Sequence, residues 1–126
     1  AVADYRPAAV SDRKLKKSGE ELSALPLERT DDILRWLGEH KRPGQFLCGF
    51  SMETEDVVEN SRKKLHSKNL DMIAANSLRQ EGAGVGTSTN VLTLITPDGE
   101  EALPLLTKEE AAHRLLDAIL AQRSKG

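Results

Sequence analysis

A strand–helix–strand unit in the middle of the chain limits the possible folds more than any other feature. Residues 46–50 form a continuous apolar run, which is typical of a strand covered on both faces. Residues 54–66 place apolar side chains at helical spacing, and residues 70–75 form a second short apolar strand. The predicted inner face of the helix consists of Val57, Val58, Ser61 and Leu65. A strand, a helix and a strand in so few residues predict a βαβ core at about residues 46–76, with parallel strands and a right-handed crossover.

Further elements follow this core toward the carboxyl end. Residues 91–96 predict a strand, residues 97–100 a tight turn and residues 101–105 a return strand. Thr107, with Glu110 three residues later, has the form of a capping box and predicts the start of a last helix. The predicted buried stripe of that helix consists of Ala112, Leu115, Leu116 and Ile119.

The front of the chain is less regular. Residues 21–27 alternate weakly and include Pro26, which predicts an edge strand. Thr30 and the two acids after it predict a helix start before the apolar residues 33–37, and Gly38 predicts its end. These elements together predict a Rossmann-like three-layer α/β sandwich with a mostly parallel sheet that is incomplete at its N-terminal side.

The first five residues differ from an ordinary chain terminus. Residues 1–5 are typical of the apolar end of a buried strand, which Arg6 and Pro7 then interrupt. Because a domain seldom begins in the middle of its core, we expect this sequence to be a piece of a larger protein.

Composition excludes several classes of protein. The chain has 126 residues, about one domain, with 18 Lys and Arg against 20 Asp and Glu, a net charge of −2 and 3% aromatic residues. Positive charge is too low for a general nucleic-acid surface, and aromatic rings are too few for base stacking. No apolar run approaches the ~20 residues that span a bilayer. We therefore expect neither a nucleic-acid nor a membrane partner.

Cysteine and histidine give no sign of metal chemistry. The single cysteine, Cys48, excludes an internal disulfide and a cysteine-rich zinc site, which fits a reducing cytosol. Cys48 lies in an apolar run without a nearby cation, so we interpret it as a core residue. His40, His66 and His113 lie on separate helical stretches, and we predict no metal ligands.

Gly82, Gly84 and Gly86 imitate a phosphate-binding glycine loop. That chemistry needs a helix N-terminus directly after the loop, whereas here the chain runs into the strand predicted from Val91. We therefore interpret residues 77–90 as a mobile loop and reject a nicotinamide or flavin oxidoreductase.

Two groups of lysines each leave two interpretations open. Residues 14–17 (K-L-K-K) are either a solvated charged turn or a clamp for a triphosphate or an acyl phosphate. Asn60, Lys64 and Lys68 share one side of a helix. The two lysines are either cations that favour a helix C-terminus or a polyphosphate grip reached from the carboxyl ends of the parallel strands.

Read together, these segments resemble the phosphopantothenoylcysteine synthetase family, the CTP-using synthetase domain of bacterial coenzyme A biosynthesis. The matching segments, in the family's order, are residues 1–7 (A-V-A-D-Y-R-P), 14–17 (K-L-K-K), 49–54 (G-F-S-M-E-T), 62–65 (R-K-K-L), 68–71 (K-N-L-D), 75–76 (A-N) and the loop that closes at Asn90. The family's domain has further strands and helices before the first of these segments, so the chain resembles its later part.

The resemblance implies an enzyme, a phosphopantothenate–cysteine ligase. Such a ligase joins 4'-phosphopantothenate and cysteine through an acyl-cytidylate, with CTP as co-substrate and with Mg²⁺. FMN is implied only where a decarboxylase domain is fused in the parent protein. The resemblance also implies a cytoplasmic homodimer whose subunits pair through a β-flap at about residues 14–29, and it implies that the isolated fragment is inactive.

The resemblance also implies roles for individual residues. Lys14 is the implied catalytic residue, because it handles the acyl-cytidylate. The implied CTP-binding residues are Asp4, Lys14, Glu28, Arg29, Thr30, Asp31, Phe46, Lys64 and Lys68. Asn76 and Asn90 are implied as substrate or loop residues, and no metal ligand is implied.

The chain departs from the family at two places. Residues 30–33 (T-D-D-I) replace the family's N-P-D-I, which affects base recognition, and Val85 and Ser88 replace a phenylalanine and an aspartate in the loop. The alternative interpretation is a non-catalytic nucleotide-binding or dimerisation fragment that keeps only the scaffold. The presence of Lys14, Lys64 and Lys68 favours the ligase.

Overall fold

The structure is a computed structural model that describes residues 2–14, 24–79 and 86–126. By internal packing the chain divides into two compact units, Ala1–Ile33 and Leu34–Gly126. The described residues of the first unit are almost all exposed, whereas the second unit contains a four-stranded sheet and the hydrophobic core.

Two short strands pair in the first unit. Strand β1 (Tyr5–Pro7) is antiparallel to strand β2 (Leu27–Arg29). The prediction that Arg6 and Pro7 interrupt a strand is wrong, because both lie within β1, a short edge strand on which proline is tolerated. Val2 is exposed, and so is Tyr5, because a two-stranded ribbon has no layer that covers its faces. The buried strand end expected here is therefore not found in residues 2–5.

The predicted flap is described only in part. Residues 15–23 lie outside the described residues, and residues 24–26 are not in a strand. The edge strand predicted over residues 21–27 therefore begins, within the described residues, only at Leu27, directly after Pro26.

The second unit contains the βαβ core that the sequence predicts. Strand β3 (Cys48–Glu53) and strand β4 (Met72–Ser77) are parallel neighbours, joined by helix α2 (Val57–Ser67). Ser61 and Leu65 are fully buried on the inner face of α2, as predicted.

The rest of the sheet is antiparallel. Strand β6 (Leu92–Thr96) and strand β7 (Gly99–Ala102) extend it in the order β3-β4-β6-β7, and the β4–β6 and β6–β7 pairs are both antiparallel. The described sheet is therefore mixed, and the predicted excess of parallel pairs is not found in these residues. The tight turn between β6 and β7 accounts for one of the two antiparallel pairs, since so short a connection can join only antiparallel strands.

The remaining elements flank this sheet. They are helix α1 (Ile33–Glu39), strand β5 (Thr89–Asn90), strand β8 (Leu106–Thr107), which pairs antiparallel with β5, and helix α3 (Lys108–Lys125).

Apolar side chains are packed on both faces of the sheet. Successive residues of a strand point to opposite faces. Met72 of β4 belongs to a core cluster with Leu115 of α3, and Ile73 belongs to a second cluster with Leu65 of α2. A helix on each face gives three layers, which confirms the predicted α/β class.

Helix α3 begins as predicted but faces the sheet with different residues. The Thr107 hydroxyl accepts a hydrogen bond from the Glu110 amide at 3.2 Å, and the Glu110 carboxylate accepts one from the Thr107 amide at 3.0 Å. The buried residues are Ala111 and Leu115, whereas Ala112 and Leu116 of the predicted stripe are exposed. The predicted stripe is wrong at those two positions, because the sheet-facing row starts at Ala111 and continues four residues later.

Candidate functional site

The carboxyl ends of the two parallel strands meet at one edge of the sheet. Glu53 ends β3 opposite Ser77 of β4, and Met52 lies opposite Asn76. Helix α2 begins shortly after Glu53, so its N-terminus lies at the same edge. Open α/β sheets bind their ligands at the carboxyl ends of parallel strands, which makes this edge the candidate site.

An ion pair lies at this edge. The Lys64 Nζ of α2 is 2.5 Å from the Glu53 Oε1 of β3. The Glu53 side chain is 15% exposed and the Lys64 side chain is 44% exposed. Sequence spacing indicates Lys64 as a candidate, whereas a role for Glu53 follows from this contact. The signal for Glu53 was present in the G-F-S-M-E-T segment, where it is the acidic residue.

Asn76 presents a buried acceptor at the same edge. The residue is 7% exposed, and its Oδ1 accepts no hydrogen bond from the described residues. Leaving a buried amide oxygen unpaired costs free energy, so the Asn76 Oδ1 is an acceptor for a donor such as water or a ligand. This geometry is compatible with the substrate contact predicted for Asn76.

The turn between β3 and α2 is formed by backbone groups. Asp56 precedes α2 in the left-handed conformation (φ 45°), and its side chain makes no capping hydrogen bond. Helix α2 therefore starts without a side-chain N-cap at Asp56. Instead, the Asn60 side chain donates to the Glu55 carbonyl at 3.0 Å. Asn60 thus stabilises the turn.

Lys68 lies at the other end of α2. It is the C-cap residue, with its amide donating to the Lys64 carbonyl at 3.0 Å, and its side chain is half-buried. The four residues from Lys64 to Lys68 correspond to a rise of about 6 Å along a helix. The structure therefore places Lys64 beside Glu53, and Lys68 one turn further toward the amino ends of the strands.

The surroundings of Lys68 are fixed by close packing. Asn69 follows it in the left-handed conformation (φ 53°) and donates its side-chain amide to the Gly38 carbonyl of α1 at 2.9 Å. The Asp71 carboxylate accepts from the Leu47 amide at 2.8 Å and from the Lys41 ammonium at 3.3 Å. The K-N-L-D segment therefore holds the end of α2 against α1 and the start of β3.

The two phenylalanines lie in different surroundings. Phe46 precedes β3, is half-buried and packs against the core cluster on the α3 side. It borders an open cleft of about 490 Å³ that includes Asp71 and Arg123. Glu53 ends the strand that Phe46 precedes, so the two are about 20 Å apart at a strand's rise. Phe50, which had no predicted role, is 68% exposed on β3.

The first unit brings four of the predicted nucleotide contacts together. The Asp4 carbonyl accepts from the Thr30 amide at 2.9 Å, and the Thr30 hydroxyl donates to the Ala3 carbonyl at 2.5 Å. Glu28 forms an exposed ion pair with Arg6 at 2.7 Å. Arg29, next to Glu28 on β2, has its guanidinium 6.0 Å from the centre of the Tyr5 ring.

Three further predicted residues are Lys14, Asp31 and Asn90. Lys14 is exposed and is the last residue described before the gap, and Asp31 is exposed ahead of α1. Asn90 lies in β5, where its Oδ1 accepts from the Val91 amide at 3.0 Å. Lys14 belongs to the first unit and Lys64 to the second, so their convergence on one nucleotide stays a prediction.

Cys48 and the histidines belong to no metal-binding group within the described residues. Burial raises the pKa of the Cys48 thiol from 9.0 to about 11, which disfavours the reactive thiolate. His40 stacks on Trp36, with ring centres 4.1 Å apart. The described ranges contain no group of three His, Cys, Asp or Glu side chains able to hold a metal ion. Within the same ranges, no helix has the length and apolar character needed to cross a membrane.

The fold and this edge define a class of protein. A three-layer α/β unit whose charged and polar side chains gather at the carboxyl ends of parallel strands is the arrangement that open α/β proteins use for nucleotides and other phosphorylated ligands.

Within this class, the chain belongs to the family of the DNA/pantothenate metabolism flavoprotein C-terminal domain, whose model matches residues 1–122. It is 44% identical over 122 residues to the coenzyme A biosynthesis bifunctional protein CoaBC of Bacillus subtilis (strain 168), a match that covers 96% of this chain and 30% of that protein. It is 42% identical over 121 residues to a cysteine/cysteine sulfinic acid decarboxylase of an unknown prokaryotic organism, covering 95% of this chain and 33% of that protein.

A solved structure supports the same assignment. The chain matches the crystal structure of the C-terminal domain of coenzyme A biosynthesis bifunctional protein CoaBC with a TM-score of 0.74 and 39% identity, over all of this chain and 53% of that one. The family resemblance read from the sequence motifs is therefore confirmed. The chain spans about a third of the length of the curated relatives it matches.

Proposed function

We propose that this chain is part of a CTP-dependent phosphopantothenate–cysteine ligase of coenzyme A biosynthesis. The observation that carries the proposal is the Lys64 ammonium beside Glu53 at the carboxyl end of β3, in a chain whose family match runs over residues 1–122. An ammonium at this edge is well placed to neutralise a triphosphate, because ligands of open α/β sheets bind there.

The proposed reaction has two steps. A carboxylate is a poor acylating agent, because its oxygen is a poor leaving group. In the first step a carboxylate oxygen of 4'-phosphopantothenate attacks the α-phosphorus of CTP, the bond from that phosphorus to the bridging oxygen breaks, and pyrophosphate leaves. In the second step the cysteine amine attacks the acyl carbon, CMP leaves with the former carboxylate oxygen, and the amine loses a proton as the amide forms.

The chain's own residues supply charge and orientation in this scheme. Lys64 and Lys68 neutralise charge that develops on the departing pyrophosphate, and Lys14 holds the acyl-cytidylate as the catalytic residue. The further CTP contacts are Asp4, Glu28, Arg29, Thr30, Asp31 and Phe46, with Asn76 and Asn90 as substrate or loop contacts.

The first unit supports base recognition by backbone groups. The Glu28 carboxylate is engaged by Arg6, and the Thr30 hydroxyl is engaged by the Ala3 carbonyl. Since these side chains have partners and the Thr30 amide donates to the Asp4 carbonyl, the proposed base contacts of residues 28–31 are their other main-chain N–H and C=O groups. Phe46 is the proposed ring contact and Phe50 the more exposed alternative. Comparing the KM for CTP in the Phe46→Leu and Phe50→Leu variants separates the two.

The described residues do not fit a resident Mg²⁺ site. Mg²⁺ is usually held by one or two carboxylates together with substrate phosphates. At this edge Glu53 is engaged by Lys64, and Glu55 of the following turn is engaged by Arg79. Mg²⁺ therefore enters the proposal as part of the nucleotide substrate, and no step is routed through it. FMN belongs to the proposal only where a decarboxylase domain is fused in the parent protein.

The oligomeric state and the cellular location are also part of the proposed function. We propose a Rossmann-like synthetase domain, completed by chain outside this sequence, that acts as a cytoplasmic homodimer paired through residues 14–29. Size-exclusion chromatography with light scattering on the full-length protein tests the dimer.

The function is tested on the full-length protein with CTP, 4'-phosphopantothenate and cysteine. We expect stoichiometric release of pyrophosphate and CMP together with the amide product, followed by mass spectrometry. Without cysteine, the acyl-cytidylate should accumulate. A protein that binds CTP but releases no pyrophosphate would support the alternative, a non-catalytic nucleotide-binding or dimerisation module. A protein that neither binds CTP nor forms the amide would contradict both.

A further inference from the structure

We infer that Glu53 is a positioning residue, which holds the Lys64 ammonium at the carboxyl end of β3 so that it is ordered before a triphosphate binds. This inference rests on the proposed function and adds to it a residue that acts through Lys64 and not on the nucleotide itself.

Glu53 is held firmly by its surroundings. It is the last residue of β3, it lies opposite Ser77, and its carbonyl accepts from the Leu78 amide at 2.9 Å. Strand alternation puts its side chain on the same face as Ser51, whose hydroxyl is 2.6 Å from the Ser61 hydroxyl of α2. The Glu53 carboxylate is therefore fixed against α2, in surroundings where a charge needs a partner.

Lys64 is the more flexible partner of this ion pair. Its ammonium is a point charge on a flexible four-carbon stem, and ordering such a side chain costs conformational entropy. An ammonium has three N–H donors. One N–H donates to Glu53, which leaves two for phosphate oxygens, so the ion pair can persist while Lys64 binds a triphosphate. The Lys64 side chain then loses its conformational entropy before the triphosphate binds.

Neighbouring ion pairs provide matched controls. Glu55 pairs with Arg79 at 2.8 Å, and Glu59 pairs with Lys63 at 3.1 Å, with both partners largely exposed in each case. Exposed pairs contribute little, because water and salt screen them. The Glu53–Lys64 pair differs from both, since its carboxylate is mostly buried.

The test is a double-mutant cycle in the full-length protein, with the Kd for CTP measured by calorimetry. We expect Glu53→Gln to raise this Kd about tenfold, a coupling of the size seen between contacting residues, and Glu59→Gln to leave it unchanged. In a Lys64→Met background, Glu53→Gln should cause no further rise. Equal effects of Glu53→Gln with and without Lys64 would show that Glu53 acts on the nucleotide directly and overturn the inference.

Other outcomes are equally decisive. A Kd that is unchanged or lower in Glu53→Gln overturns the inference, and a lower Kd would show that Glu53 competes with phosphate for Lys64. Absence of CTP binding by the unaltered protein contradicts the proposed function instead, so the two failures are distinct. Should Glu53→Gln fail to fold by circular dichroism, Glu53→Asp, which draws the carboxylate back by one methylene, must still raise the Kd, and an unchanged Kd overturns the inference.

Discussion

Gly38 illustrates how closely single residues are fixed in the second unit. A Cβ at this position would lie 1.8 Å from the Lys68 carbonyl oxygen, although Gly38 is inside helix α1, where alanine is normally the better residue by about 1 kcal/mol. The sequence suggests a helix end at this glycine, but the structure shows that glycine is required by the approach of another backbone.

Gly38→Ala should therefore destabilise the protein. We expect a loss of about 3 kcal/mol in the free energy of unfolding, because backbone atoms must shift to accommodate the methyl group. Gly99→Ala is the matched control, since a Cβ there meets nothing within 4 Å, and its effect should stay within about 0.5 kcal/mol. Urea unfolding of both variants measures the difference. Equal stability of the two variants would contradict the close approach.

Cys48 should be slow to react. Because burial raises its pKa from 9.0 to about 11, the thiolate fraction near pH 8 falls about a hundredfold. A thiol whose folded pKa is raised contributes stability that is complete below about pH 9 and is lost as the pH rises toward 11. Iodoacetamide labelling, followed by peptide mass spectrometry, should be much slower in the native than in the denatured protein. Equal labelling rates would contradict the burial.

The partners of individual side chains were the feature that the sequence predicted least well. Sequence spacing identified Lys64 as a candidate, and Ser61 and Leu65 as buried. It could not identify Glu53 as the partner of Lys64, because that contact joins the end of a strand to the middle of a helix. Periodicity describes one element at a time and carries no information about such contacts.

Elements were predicted better where their periodicity is strong. The parallel pair β3–β4 and the crossover helix α2 follow from two apolar runs with a helical pattern between them. The sheet-facing row of α3 was predicted one position away at Ala112, since apolar residues on both sides of the helix, such as Leu116 and Leu120, blur the stripe. The sheet of the described residues is mixed, because β6 runs antiparallel to β4 and its hairpin with β7 adds a second antiparallel pair.

The start of α3 depends on its capping box. Thr107→Ala should lower the free energy of unfolding by about 1 kcal/mol, since the Glu110 amide loses its acceptor. Glu110→Gln is the control, because glutamine keeps a side-chain oxygen that can accept from the Thr107 amide. Chemical denaturation followed by far-ultraviolet circular dichroism measures both. A loss in Glu110→Gln as large as that in Thr107→Ala would contradict this reciprocal arrangement.

At the scale of the whole molecule, the family assignment carries information that periodicity does not. Motifs in order along the chain predicted the family, and the match over residues 1–122 confirms it. The predicted site draws Lys14 from the first unit and Lys64 from the second. Sequence spacing predicts only the segment on which each lysine lies. That both lysines contact one triphosphate is implied by the family resemblance alone.

Lys14→Gln in the full-length protein tests this site as a whole. If Lys14 handles the acyl-cytidylate, its ammonium acts mainly on the intermediate and on the states that lead to it, and much less on bound CTP. The variant should therefore lower kcat for amide formation far more than it raises the KM for CTP, because an interaction made only along the reaction path affects kcat. Lys64→Gln, at the proposed triphosphate contact, should raise the KM for CTP and also lower kcat, because its ammonium faces the triphosphate both in bound CTP and as pyrophosphate departs. Lys108→Gln, at the exposed start of α3, is the control and should change neither constant. Equal losses in kcat and in CTP affinity on replacing Lys14 would make it a binding residue and remove the catalytic role proposed for it.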